Sequence, residues 1–244
     1  MISKNLLASF ISKYSVNNRF ENVKWRIENN VLTVYDGVSG RVCKVQLNNF
    51  PLDDVELGVW DTTKLSKLVS VTSGELLLSL ETQNELPKKL HISDSSFDLA
   101  FSLADKFIIP SVKWYNDPDK WEVELELTRE DVDNLIKSKN AFTEQEVFTM
   151  KVVKDLDNDI ACEFTFGELG DYSSKINYSI KGNIDESILD RVYPFDATLF
   201  KDILNSNKDQ EECLFKFSSK GMKKISFKSD DIESIYYIAQ KELN

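Results

Sequence analysis

Few side chains in this sequence have the types and spacing that catalysis or metal binding requires. The only histidine among the 244 residues, His91, lies in a segment typical of a strand followed by a polar turn, which favours a structural role. The acidic stretch DLDND, Asp155–Asp159, has carboxylates that suit Ca²⁺ but lacks the full spacing and terminal glutamate of a calcium loop, so it is interpreted as a hairpin turn. No P-loop and no nucleophile elbow occur. The sequence therefore predicts a protein that is not an enzyme and needs no cofactor or metal.

The cysteines and the apolar content argue against a disulfide-rich, zinc-binding or membrane-spanning protein. Cys43, Cys162 and Cys213 are far apart and odd in number, which argues against a disulfide framework and a zinc site. Apolar residues make up 41% of the chain, enough for a core, but no run approaches the roughly 18 needed to span a bilayer. The first residues, MISKNLLASFISKY, are typical of an amphipathic helix rather than a signal peptide, so we expect an intracellular protein without a membrane partner.

One short pattern occurs twice along the chain. The segments WDTTKLSKLVSV and FDATLFKDILNS align at an offset of 135 residues, so that Asp61 matches Asp196 and Thr63 matches Thr198. In both segments an aspartate precedes apolar residues at helical spacing, as an N-cap does. A duplicated domain explains this match better than two unrelated domains of similar pattern.

A second helix and its following strands also recur. Ser3 and Thr128 begin amphipathic segments as N-caps, about 125 residues apart, and Glu130 and Asp131 fall in the first turn of the second one, where acids favour the helix dipole. Alternation predicts strands at 23–27, 31–35, 42–47, 55–60, 147–153, 160–166, 175–180 and 188–195. Further strands follow each aspartate-capped helix. The predicted fold is α+β, with two tandem repeats at 1–110 and 121–244, a connector at 111–120, and two helices on one face of antiparallel sheets in each repeat.

The charge is distributed unevenly between helices and strands. The chain has a formal net charge of −11, yet segments 3–20, 61–73, 128–140 and 196–208 together carry +4 and the rest carries −15. Basic helices in an acidic protein would attract phosphates to one face and repel them from the other. The alternative is that lysines occupy helices because they favour helix formation.

These repeats and charges resemble those of DNA sliding clamps, the processivity rings of replicative polymerases, and more narrowly the clamps of T4-type bacteriophages. The resemblance covers most of the chain and rests on ISKNLLASFISKYSVN, VELGVWDTTKLSKLVSV, FDLAFSLADKFIIPSV, FGELGDYSSKINYSI and the closing strands. It implies a homotrimeric ring that encircles duplex DNA and tethers the DNA polymerase during viral replication in the host-cell cytoplasm. It also implies a clamp loader and a pocket that binds a C-terminal peptide of the partner.

The implied sites can be assigned to numbered residues. The predicted DNA-facing bases are Lys4, Lys13, Arg19, Lys64, Lys67, Arg129, Lys137, Lys139, Lys201 and Lys208. The predicted peptide pocket comprises Ile109, Val112, Trp114, Tyr115, Tyr236 and Ile238. A strand-rich phage structural or assembly protein without DNA threading remains the alternative, although it gives no reason for basic helices.

Overall fold

The computed structural model describes residues 1–38, 40–112, 114–154, 159–167 and 174–242. The chain divides into two compact units, the first comprising Met1–Val38, Val42–Trp114 and Asp230–Ser234, and the second comprising Ser39–Arg41, Tyr115–Ser229 and Ile235–Asn244. The domain limits predicted at residues 110 and 121 stay a prediction. No helix within the described ranges is long and apolar enough to cross a membrane.

The first unit combines two helices with antiparallel strands. Its elements are β1 (Ile2–Ser3), α1 (Lys4–Ser15), β2 (Val23–Glu28), β3 (Val31–Val38), β4 (Arg41–Leu47), β5 (Val55–Val59), α2 (Thr62–Ser70), β6 (Glu75–Gln83), β7 (Leu86–Ser93) and β8 (Asp98–Ser102). The strands lie in the orders β4-β3-β2-β5 and β1-β6-β7-β8. Helices α1 and α2 contact each other.

The second unit has the same kinds of element. They are β9 (Val123–Glu126), α3 (Arg129–Ala141), β10 (Val147–Lys154), β11 (Ile160–Gly167), β12 (Lys175–Ile180), β13 (Asn183–Ile184), a 3₁₀ turn (Glu186–Ile188), β14 (Val192–Asp196), α4 (Ala197–Ser206), β15 (Glu212–Ser218), β16 (Met222–Lys228) and β17 (Ile232–Ala239). The strands follow the orders β12-β11-β10-β14 and β13-β9-β15-β16-β17. Helices α3 and α4 contact each other.

The two units repeat one strand order. The order β4-β3-β2-β5 matches β12-β11-β10-β14, and β1-β6-β7-β8 matches β9-β15-β16-β17. The predicted α+β class with antiparallel sheets is therefore confirmed. The strand predicted at 188–195 begins only at Val192, because Asp185 caps the 3₁₀ turn before it, and the short strands β1, β9 and β13 were not predicted. The turn predicted within DLDND lies at 155–158, and part of the FGELGDYSSKINYSI motif lies at 168–173, both outside the described residues.

All four helices begin at the predicted N-caps. The side chains of Ser3, Asp61, Thr128 and Asp196 each accept a hydrogen bond from the backbone N–H three residues ahead, at 3.2, 2.7, 3.1 and 2.7 Å respectively. Each bond satisfies a backbone donor that the first turn of a helix leaves without a partner. The repeated aspartates thus occur because the same strand-to-helix turn is made in both units.

Aromatic side chains form the core of both units. In the first unit the ring of Trp25 meets Phe10, Tyr14 and Phe50 edge-to-face, with centroids 6.0, 6.4 and 6.0 Å away. In the second unit Phe148 stacks on Phe200 with centroids 4.8 Å apart. Such pairs add about 0.5–1.5 kcal/mol beyond the area that they bury.

A lysine lies inside the phenylalanine cluster of the second unit. The side chain of Lys223 is fully buried, and its Nζ is 4.5, 4.3 and 4.3 Å from the ring centroids of Phe148, Phe195 and Phe200. Among the described residues, no acceptor is within hydrogen-bond distance of this Nζ. Burial holds the pKa of Lys223 well below its ordinary value, and the Asp196 carboxylate opposes that shift. We call Lys223 and these three rings the lysine cage.

Candidate nucleic-acid interface

The paired helices of each unit present a polar face opposite their buried one. In α2, Leu65 and Val69 are buried, whereas Lys64 and Lys67 are exposed. This division follows from helical spacing, because residues three and four apart share a face. The same helices that form part of the core therefore carry the candidate DNA contacts on their other side.

The structure leaves eight of the ten predicted DNA-facing bases fully or partly exposed to solvent. The exposed ones are Lys64, Lys67, Arg129, Lys137 and Lys208, and the half-buried ones are Lys4, Arg19 and Lys201. Lys208 lies in the turn after α4 rather than within the helix.

The remaining two bases, Lys13 and Lys139, are buried, so the prediction that they face DNA is wrong. Lys13 is 0% exposed and its Nζ donates to Ser9 Oγ at 2.7 Å. Lys139 is 3% exposed and donates to the carbonyl oxygens of Phe142 and Thr143 at 3.0 and 2.9 Å. Both lie in the last turn of their helices, where a cation complements the helix dipole. Burial lowers the pKa of Lys139, with a further contribution from the charge of Lys201.

Seven of the eight exposed and half-buried bases differ from many strand bases in that they form no ion pairs within the described ranges. On the strands, Lys89 pairs with Glu81 at 3.0 Å and Lys224 pairs with Asp117 at 2.9 Å. No ion pair within the described ranges involves the helix-face bases, which are Lys4, Lys64, Lys67, Arg129, Lys137, Lys201 and Lys208. No side chain in the described ranges pairs with them directly, so these bases can contact an external anion such as phosphate.

Two residues of the predicted peptide pocket line a groove of the first unit. Val112 and Trp114 border a cavity of about 280 Å³ together with Lys24, Arg26, Tyr35, Pro110 and Ser111. The Trp114 ring meets Tyr35 edge-to-face at 5.5 Å, and Lys24 Nζ donates to Ser111 Oγ at 3.0 Å. We call this cavity the Trp114 groove. Sequence reasoning missed its β2 and β3 walls, although alternation along VKWRIE already placed Lys24 and Arg26 on the less buried face of β2.

The other four predicted pocket residues do not belong to this groove. Ile109, Tyr236 and Ile238 are 4%, 1% and 3% exposed, so the prediction that they line a peptide pocket is wrong. Tyr236 and Ile238 are two residues apart on β17 and therefore share its core face. Tyr115 is 38% exposed and contacts Tyr237 of the second unit, with ring centroids 6.3 Å apart.

The side chains considered for catalysis or metal binding do not assemble a site in the described part of the chain. His91 Nε2 is 3.2 Å from Glu81 Oε2, a pairing across neighbouring strands. No group of three or more histidine, cysteine or acidic side chains among the described residues could hold a metal ion.

Comparison with known proteins was made by sequence and by structure. No family model matches the sequence, and no curated protein matches it. Proliferating cell nuclear antigen (PCNA) from Entamoeba histolytica matches with a TM-score of 0.73 and 13% identity, over 98% of this chain and 96% of that one. PCNA from A. fulgidus, bound to the C-terminal region of FEN-1, matches with a TM-score of 0.74 and 13% identity, over 100% and 98% of the two chains. The chain therefore has the fold of DNA sliding clamps.

Proposed function

We propose that the protein is a sliding clamp that encircles duplex DNA and tethers the replicative DNA polymerase, giving processivity during viral DNA replication. The observation that carries the proposal is the set of helix-face bases, which form no ion pair with any described residue, in a chain of net charge −11. The clamp fold supports it. The viral, T4-type origin and the host-cell cytoplasm as its location rest on the sequence resemblance.

The proposed mechanism involves no bond chemistry. A ring holds the polymerase on its template by topology, since a closed circle cannot leave DNA except at an end. Basic side chains attract the phosphates without reading base edges, so the attraction is the same at every position and the ring can slide. Helices suit such a lining because none of them has to enter a groove.

Ring closure would also cover exposed strand edges. Strands β8 and β12 lie at the edges of their sheets, and most of their side chains are exposed or half-buried. An uncovered edge invites association with another chain. We propose that β8 of one copy and β12 of the next pair in a homotrimer, whose three chains of 28.1 kDa amount to about 84 kDa. Light scattering after size exclusion tests this, and a strict monomer at tens of micromolar would count against the ring.

The Trp114 groove is the proposed site for partner peptides. The A. fulgidus clamp is bound to the C-terminal region of FEN-1. By analogy, we propose that C-terminal peptides of the polymerase and the clamp loader bind here with an apolar anchor against Trp114. Truncating a buried aromatic anchor commonly costs about 2 kcal/mol or more, so Trp114→Ala should weaken the polymerase peptide at least about tenfold. If calorimetry showed unchanged affinity for the polymerase peptide in a Trp114→Ala variant that is still trimeric, the Trp114 groove would not be the peptide site.

Retention on circular DNA tests the function itself. With a clamp loader and ATP, the protein should remain on circular duplex and leave after linearisation. The double variant Lys64→Glu, Lys67→Glu should impair retention. The matched control Lys88→Glu, Lys228→Glu makes the same charge change at exposed strand positions and should not. Tight sequence-specific binding without a loader, or no retention at all, would contradict the proposal and favour a structural protein.

A further inference from the structure

The helix pair of the first unit presents an almost purely basic face. Its exposed and half-buried charges, from the N-caps to the ends of α1 and α2, are Lys4, Lys64 and Lys67 against the single acid Asp61. The carboxylate of Asp61 is held by the helix cap that it forms. A second acid beside α2, Glu21, is also engaged, because its two oxygens accept from the backbone N–H and the hydroxyl of Thr63. Lys64 and Lys67 are three residues apart and therefore share one helix face.

The helix pair of the second unit presents a mixed face instead. Its exposed and half-buried bases over the same elements are Arg129, Lys137 and Lys201. They face the exposed acids Glu130 and Asp133, and also Asp131 and Asp196, which are engaged in the helix caps as Asp61 is. On α3 the residues Arg129, Asp133 and Lys137 are four apart, so an acid lies between the two bases along one face. Asp133 thus lies one helical turn from both exposed bases of α3 and weakens their field toward a distant phosphate.

The turns that follow the helices increase this difference. The turn after α3 exposes Glu144 and Glu146. The turn after α4 exposes Lys208 together with Asp209, and Glu211 and Glu212 follow. The segments after the second helix pair thus add five exposed acids against one base, whereas those after the first pair add Glu21 and Glu75 against Arg19. The acids at the second pair repel phosphates more strongly.

We infer that the duplex is held by the first unit of each chain, through the phosphate contacts of α1 and α2, while the helices of the second unit form a nearly neutral wall. The inference rests on the proposed function and divides its DNA-facing residues unequally. Lys64 and Lys67 are the principal contacts, and Arg129 and Lys137 contribute little because Asp133 offsets them. The two units therefore share a fold but contribute unequally to DNA binding.

Matched charge-neutralising variants separate the two units. One variant carries Lys64→Gln and Lys67→Gln, and the other carries Arg129→Gln and Lys137→Gln, so each removes two exposed positive charges from one helix. Glutamine keeps a high helix propensity, which protects the fold. Binding of a fluorescent duplex of about 30 base pairs is measured by anisotropy from about 25 to 200 mM NaCl, where each phosphate contact adds about 0.9 to the slope of log affinity against log salt.

The first variant should lose at least about fivefold in affinity at about 50 mM NaCl and show a shallower salt slope, whereas the second should stay within about twofold of wild type. A third variant, Glu130→Gln with Asp133→Asn, should tighten binding, because it removes the two exposed acids of α3 and leaves only the capping Asp131 near its bases. Glu233→Gln neutralises an exposed acid on a strand, so it controls for a general change in net charge and should change DNA affinity little.

Parallel retention assays on circular DNA distinguish the two proposals. The inference would be overturned if the α2 and α3 double variants lost equal DNA affinity, or if the α3 variant lost more. In that case retention of the wild type on circular DNA would still support the clamp function. Failure of the wild type to be retained would remove the clamp function and the inference together. Light scattering and circular dichroism on every variant identify any loss that comes from misassembly or misfolding.

Discussion

Replacing the caged lysine should stabilise the protein. The ammonium of Lys223 is fully buried with no hydrogen-bond acceptor in the described part of the chain. Its compensation is the attraction of three aromatic rings, worth about 2 kcal/mol for a desolvated cation. The desolvation of an ammonium costs several kcal/mol, and a neutral amine avoids that cost only by giving up its proton at neutral pH. The cost of burying the lysine side chain is therefore larger than the attraction of the three rings.

We expect Lys223→Met to raise the free energy of unfolding by about 1–3 kcal/mol, since apolar residues of similar volume often replace buried charges at a gain of about 1–4 kcal/mol. Methionine is unbranched and fits the channel that the lysine stem occupies. For a chain of this length each kcal/mol corresponds to about 2–4 °C in Tm. The neighbouring control is Lys224→Met, which removes the ion pair to Asp117 and should destabilise.

The pH dependence gives the prediction a second readout. The pKa of Lys223 is lowered in the native state, whereas the unfolded chain has an ordinary lysine with a pKa of about 10.4. Between these two values the unfolded state binds more protons, so wild-type stability rises with pH, by up to about 1.4 kcal/mol per pH unit. The advantage of Lys223→Met should therefore shrink as the pH rises from neutral toward the ordinary lysine pKa of about 10.4.

Urea unfolding of both proteins across this pH range measures both effects. Destabilisation by Lys223→Met of more than about 1 kcal/mol, with parallel pH profiles for the two proteins, would show that the cage is a favourable site for a charged lysine. Such a result would refute the reasoning from desolvation.

Three further predictions concern the stability of two variants and the reactivity of the buried thiols. Asp61→Ala should cost about 1 kcal/mol in urea unfolding, because a backbone donor of α2 loses its cap. Gly58→Ala should destabilise by about 1–3 kcal/mol, because the new Cβ would lie 2.5 Å from the carbonyl oxygen of Ala104. A stability equal to wild type would mean that the backbone pairing of Gly58 with Ala104 can shift at no cost. The thiols of Cys43 and Cys162 should resist a thiol reagent until the protein unfolds, since burial raises their pKa; rapid labelling at neutral pH would show local opening.

The sequence predicted those features that local chemistry decides. An N-cap such as Asp61 or Thr128 works through its own hydroxyl or carboxylate and a backbone N–H three residues away, so no distant contact is needed to recognise it. The longer strands show alternation over enough residues to be distinguished from helices. Strands β1 and β13 have two residues each, too few for any period, and exist only because longer neighbours pair with them.

The site was predicted less well because burial depends on residues far apart in sequence. Lys13 was treated as a surface cation from its type alone, although it lies three residues after Phe10 and so shares the apolar face of α1. Tyr236 was expected near a pocket, but its hydroxyl accepts from Asn207 Nδ2 at 2.9 Å inside the second unit. The walls of the Trp114 groove come from β2 and β3, about 80 residues before Trp114, and no local pattern connects them.

The shared strand order of the two units has an evolutionary consequence. A ring assembled from identical single units must place the same side chain at every equivalent position. Joining two copies in one gene removes that constraint, so equivalent positions can diverge. The exposed Lys64 and Lys67 of α2 align with the buried Leu199 and Asp202 of α4, whereas the capping aspartate is retained in both helices. Two units in one chain can thus place exposed cations at these positions of α2 and buried side chains at the equivalent positions of α4.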